Sequence, residues 1–219
     1  MKKNELKTVD ILNNITELVF ILDRSGSMGG LESDVIGGFN SMIEKQKAEE
    51  GEAFVTTVLF DDRIEPIYDS QPIGTIPKMD RNTYYVRGCT ALLDAVGSTI
   101  LDVSNRQDKL ESEKKASKVI FVITTDGLEN ASREFSLKQV RNLISSKTEG
   151  GWEFIFLGAN IDAVGEAGKL GIRASRAGNF TASAEGIDAS FGAVGEVVTM
   201  MRGCAKMSDV DGSWKKKLK

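Results

Sequence analysis

The run Leu18-Val19-Phe20-Ile21-Leu22 is followed at once by Asp23-Arg24-Ser25-Gly26-Ser27. Five successive apolar residues rich in β-formers are too few for a core helix and read as a strand buried on both faces. The strand stops at an aspartate, and two hydroxyls follow at alternate positions with glycine between them. A helical pattern starts after Gly29-Gly30, with Leu31, Val35, Phe39, Met42 and Ile43 on one face. Glu32 and Asp34 fall in its opening turn, where carboxylates suit the positive end of the helix dipole, and Gly51 is expected to close it. In open α/β sheets, ligands bind outside the carboxyl ends of the strands. Asp23, Ser25 and Ser27 belong on such a rim.

The same alternation continues down the chain. Ala53 to Phe60 reads as a strand and Asp61-Asp62-Arg63 as a tight turn. Ile64 to Tyr68 then returns antiparallel, at a sheet edge because Pro66 cannot donate to a ladder. Residues 69–87 hold Pro72, Gly74 and Pro77 and read as a surface excursion. Gly88-Cys89-Thr90 leads into a helix with Leu92, Val96, Ile100 and Val103 aligned, and the polar stretch 104–117 reads as a solvated helix end or loop. Val119 to Ile123 is a second buried strand, ending in Thr124-Thr125-Asp126-Gly127. Phe135 to Ser146, about Ile161 to Leu170, and Ile187 to Met201 carry helical periodicity, and Trp152 to Leu157 and part of 171–180 read as strands. Strands alternating with helices predict an α/β fold, a Rossmann-like three-layer α/β/α sandwich with a mostly parallel sheet and one antiparallel edge strand. The expected organisation is a lead-in over 1–14, one domain over 15–204, and a polar, basic tail over 205–219, solvated or disordered from Lys215.

Composition narrows the chemistry. The chain has no histidine, which removes Ser-His-Asp and Cys-His nucleophile systems and histidine-bearing zinc sites. Two cysteines cannot build a thiolate-only zinc site, so any metal held here is held by oxygen. A formal net charge of −4 argues against a nucleic-acid partner, and no apolar run approaches the roughly 20 residues that span a bilayer. Glu5, Asp10 and Glu17 interrupt any signal-peptide core, so reduced Cys89 and Cys204 in a cytoplasmic protein are expected.

Three segments place oxygen ligands after a strand or before a helix: Asp23/Ser25/Ser27, Thr90, and Asp126. If the two most apolar strands are neighbours, Asp23 and Asp126 share a rim, and the Thr90 loop closes its third side. Three hydroxyls and two carboxylates suit Mg²⁺ or Mn²⁺, with Ca²⁺ as a third candidate, and leave a coordination position open. Singly, each piece has a plainer reading: Ser25, Ser27 and Thr90 as helix caps, Asp126-Gly127 as a turn pair. Arg24 reads as a solvated arginine, and Asp61-Asp62 as turn chemistry.

The set Asp23-x-Ser25-x-Ser27, Gly88-x-Thr90-x-Leu92 and Thr125-Asp126-Gly127 resembles the metal-ion-dependent adhesion site of von Willebrand factor type A domains. The resemblance extends over about Thr16 to Met201. It implies that Ser25, Ser27 and Thr90 ligate a divalent cation directly, and that Asp23 and Asp126 do so directly or through water. It also implies a protein partner whose acidic side chain completes the metal shell, and no catalytic residues. Cys89 departs from the glycine usual in that family. Small cytoplasmic bacterial or phage-borne members, some linked to tellurium resistance and stress, are the nearest resemblance. The alternative is a Mg²⁺-dependent phosphatase of haloacid-dehalogenase type with Asp23 as nucleophile. That chemistry needs a second aspartate two residues on, where Ser25 stands.

Overall fold

The computed structural model describes residues 14–218. The strands are β1 (Thr16–Asp23), β2 (Ala53–Phe60), β3 (Ile64–Pro72), β4 (Lys118–Thr125), β5 (Glu153–Ala159) and β6 (Ala177–Phe180). The helices are α1 (Glu32–Lys47), α2 (Leu92–Lys109), α3 (Leu137–Glu149), α4 (Ala163–Lys169) and α5 (Ala184–Gly203). One sheet runs in the order β3-β2-β1-β4-β5-β6, parallel throughout except for the antiparallel β2/β3 pair at its edge.

Every residue of β1 is buried, as a strand with neighbours on both sides and helices on both faces must be. Its side chains alternate between two cores. Leu18, Phe20 and Leu22 pack with residues of α1 and α5, while Val19 and Ile21 pack with residues of α2, α3 and α4. Phe20 meets Phe39 of α1 edge to face, with ring centres 5.5 Å apart. α1 and α5 approach closely because position 38 is glycine: a Cβ there would lie 2.3 Å from the Phe191 ring.

The structure corrects several sequence expectations. α1 ends at Lys47 with Ala48 as its cap, and Gly51, at φ +88°, serves the turn into β2 instead. The 69–87 excursion is largely exposed, as expected, but it is not all surface: β3 continues to Pro72, and Ile76, Met79 and Tyr84 are buried in the α1-side core. The polar stretch 104–117 does begin as a helix end, as expected, since α2 runs to Lys109. Of the expected lead-in, residues 1–13 lie outside the described residues.

The expected solvated tail is folded against the domain. Ser213–Lys217 forms a short 3-10 helix, Trp214 is buried, and its Nε1–H donates to the Ser175 carbonyl at 3.1 Å. Leu218 lies over Gly178 of β6, where a Cβ would sit 2.2 Å from its Cδ1. Arg176, 1% exposed, holds the segment from inside. Its guanidinium donates to the Val210 carbonyl at 2.5 Å and the Met207 carbonyl at 2.8 Å, and to Glu153 Oε2 at 2.6 Å. Glu153, also buried, takes a further bond from Arg173 at 2.7 Å. Among the described residues no helix is long and apolar enough to cross a membrane.

Candidate metal centre

The sheet order makes β1 and β4 neighbours, with Leu22 opposite Thr124. Asp23 therefore ends its strand beside Thr125, and Asp126 begins the next loop on the same rim. Thr125 Oγ1 donates to Asp23 Oδ2 at 2.6 Å, and the Ser25 N–H donates to Asp23 Oδ1 at 2.7 Å. The chain then turns through a 3-10 helix at Gly26–Met28, which points Ser25 and Ser27 the same way, their hydroxyls 3.2 Å apart. Ser27 Oγ donates to Asp126 Oδ1 at 2.6 Å, joining the first loop to the third.

Thr90 arrives from the loop before α2. The Ala91 N–H donates to the Asp61 carbonyl at 2.8 Å, and the Gly26 N–H to the Gly88 carbonyl at 3.2 Å. On the other side the Thr90 N–H donates to Asn130 Oδ1 at 2.9 Å. Gly127 measures the convergence: a Cβ built there would lie 3.2 Å from Thr90 Oγ1 and 3.7 Å from Ser27 Oγ. All five expected residues thus meet at one rim. The plainer capping readings are not realised for Ser25 or Thr90. Ser25 makes no side-chain cap bond to the turn it precedes, and Ala91, not Thr90, is the cap of α2.

Burial holds the Asp23 carboxyl above the usual carboxylate range; bonds from Thr125 and Ser25 pull it back, and the Asp126 charge adds to the rise. Burial likewise raises Asp126, opposed by the Ser27 hydrogen bond. Asp23 is 1% exposed and Asp126 8%. Two partly desolvated carboxylates sharing a rim favour a positive charge between them. Among the described residues no cluster of three or more His, Cys, Asp or Glu is placed to hold a metal. Any cation at this rim therefore depends on the hydroxyls as well as the two acids. Oxygen donors of this kind, with the glycine cradle beside them, fit a hard divalent cation. Gly127→Ala presses a methyl toward two of those oxygens; we expect it to weaken Mn²⁺ binding at least tenfold with little loss of secondary structure, checked by calorimetric titration and circular dichroism.

Arg24 departs from its expected solvated position. It is fully buried, with Nη2 2.5 Å from Glu65 Oε2 and Nε 3.3 Å from Asp61 Oδ2. Asp61 is a turn residue, as expected, with Oδ1 accepting the Arg63 N–H at 2.7 Å, but it is also a hub. Its Oδ2 accepts from Arg87 Nε at 2.5 Å, so it ties the first and second loops to the β2–β3 turn. Burial alone would raise its carboxyl; the Arg87 bond, the Arg63 N–H and the charges of Arg24 and Arg87 outweigh that and hold it below the usual range. Sequence reasoning also missed Tyr84, whose hydroxyl donates to the Asp23 carbonyl at 2.5 Å from beneath the site. Its signal was faint, an aromatic in a segment of turn residues. Cys89 is exposed beside Thr90 and Cys204 is half-buried, both free.

No protein-family model matches the chain, and no curated protein matches it. Solved structures do. Proximal thread matrix protein 1 of the mussel byssus superposes with a TM-score of 0.58 at 14% identity, covering 84% of this chain. This chain spans 46% of that protein, a form of which has been solved with a zinc-occupied MIDAS motif. The vWF domain of the type V pili tip protein Mfa5 from Porphyromonas gingivalis gives 0.61 at 12% identity, covering 89% of this chain and 98% of that one. The pilus adhesin SpaC from Lactobacillus rhamnosus GG gives 0.63 at 12% identity, covering 84% of this chain and 30% of that one. At such identities the likeness is one of architecture. The chain has the fold of a von Willebrand factor type A domain.

Proposed function

We propose that this chain is a divalent-cation-dependent protein-binding domain, which presents Mg²⁺ or Mn²⁺ to a carboxylate of a protein partner. In this reading Ser25, Ser27 and Thr90 ligate the cation directly, and Asp23 and Asp126 act directly or through water. The observation that carries it is the meeting of three hydroxyls and two carboxylates from three separate loops at the carboxyl rim of the sheet. Neutral hydroxyls in the inner positions leave the ion's charge poorly compensated. An outside carboxylate then becomes its natural last ligand. The pilus adhesin among the similar folds supports an adhesion-type use.

The phosphatase alternative finds no support in the geometry. Where that chemistry needs a second aspartate to protonate the leaving group stands Ser25, whose N–H donates to Asp23 Oδ1 at 2.7 Å. The protein immobilised in Mg²⁺ is expected to retain a partner that a chelator releases and that Ser25→Ala fails to retain. Retention unaffected by chelator would refute cation presentation. Turnover of a generic phosphomonoester that depends on Mg²⁺ and on Asp23 would favour the enzyme instead.

A further inference from the structure

We propose that Asn130 is the positioning residue of this site: it sets the Thr90 hydroxyl against the Asp126 loop. The inference rests on the cation reading above. Asn130 and Thr90 hold each other in both directions. The Thr90 N–H donates to Asn130 Oδ1 at 2.9 Å, and the Asn130 N–H donates back to the Thr90 carbonyl at 3.0 Å. The Ala131 N–H reaches the same carbonyl at 3.2 Å. Both backbone polar groups of Thr90 are thus committed to one short segment four residues beyond Asp126. The Thr90 hydroxyl faces Gly127 as a result.

The segment that provides this clamp is itself fixed, because it caps the helix that Thr90 leads into. The first N–H groups of a helix lack intrahelical partners. Here the Leu93 N–H donates to Glu129 Oε2 at 2.9 Å and the Asp94 N–H to Ser132 Oγ at 3.1 Å. Glu129 also accepts the Ala131 and Ser132 N–H groups, at 3.0 and 2.7 Å. In return the Asp94 carboxylate accepts N–H groups of Arg133, Glu134 and Phe135 at 2.7 to 2.9 Å. The second and third loops are therefore one body. Asn130 is the member of it whose side chain bonds Thr90, and it is exposed, so truncating that side chain leaves the core untouched.

Outer partners that orient a metal's ligands typically affect affinity by 10–100-fold. The test is a Mn²⁺ titration of the whole chain, read by the electron paramagnetic resonance signal of the free ion. It uses wild type, Thr90→Ala, Asn130→Ala, Asn130→Asp, and the double variant Thr90→Ala/Asn130→Ala. We expect Asn130→Ala to weaken Mn²⁺ about 10-fold or more with the cation-free melting temperature almost unchanged. Asn130→Asp, which keeps the accepting oxygen, restores affinity. The double variant binds no more weakly than Thr90→Ala alone, because Asn130 acts through Thr90. Unchanged affinity in Asn130→Ala, or losses that add in the double variant, overturn the positioning role while leaving the cation reading standing. Unchanged affinity in Thr90→Ala overturns both.

Discussion

Mg²⁺ or Mn²⁺ at about a hundred times its Kd is expected to stabilise the folded chain by roughly 2.7 kcal/mol. For a chain of this size that is a rise in Tm of roughly 5–10 °C. Asp23→Ala and Ser25→Ala are expected to abolish the rise, and a chelator to reverse it. The direction follows from the rim's electrostatics: burial makes ionised Asp23 and Asp126 costly in the cation-free protein, and a divalent ion offsets that cost. Differential scanning calorimetry with and without metal checks it. Equal shifts in wild type and both variants would mean that the ion binds elsewhere, and the five-residue site would fall with them.

Glu153→Ala is the most damaging substitution expected away from the site. Arg176 is 1% exposed, and Glu153 is its carboxylate partner at 2.6 Å. Removing one member of a buried pair leaves a charge without compensation, at a cost of about 3–5 kcal/mol. The damage spreads, because the same guanidinium holds the carbonyls of Met207 and Val210. Urea unfolding gives the measure: a midpoint lowered by several kcal/mol divided by the m-value. Glu111→Ala, which breaks the exposed pair with Lys114, is the control and changes stability by less than about 0.5 kcal/mol. If the two substitutions cost the same, the buried cluster does not anchor the C-terminal segment.

The sheet was legible in the sequence because local chemistry determines it, and so was the placing of Asp23 and Asp126 on one rim. Leu18 to Leu22 and Val119 to Ile123 are short unbroken apolar runs, which a central parallel strand requires, and Asp23, Ser25, Ser27 and Asp126 follow at the strand ends. Pro66 identified the edge strand for an equally local reason. What escaped depends on residues far apart in the chain. Arg24 looked like a surface arginine, since the carboxylates that bury it, Asp61 and Glu65, lie some forty residues on. Ile76, Met79 and Tyr84 are core residues without any period, scattered among prolines and glycine, so nothing local announced their burial. Trp214 sat in a lysine-rich context whose burial depends on Ser175 and β6. The exchange of caps between Asp94 and the 129–135 segment is likewise a long-range fit with no motif of its own.

The two margins of the sheet explain how such a surface avoids templating its own copies. A long flat border strand invites a foreign strand to add to it and start a fibril. At one margin β3 carries Pro66 and Pro72, pairs irregularly near Val55 to Val58, and has Ser70 at φ +47°. At the other, β6 is only four residues long and Leu218 lies over its Gly178. A second molecule therefore finds no straight, complete row of amides and carbonyls at either side, and the ladder ends at six strands.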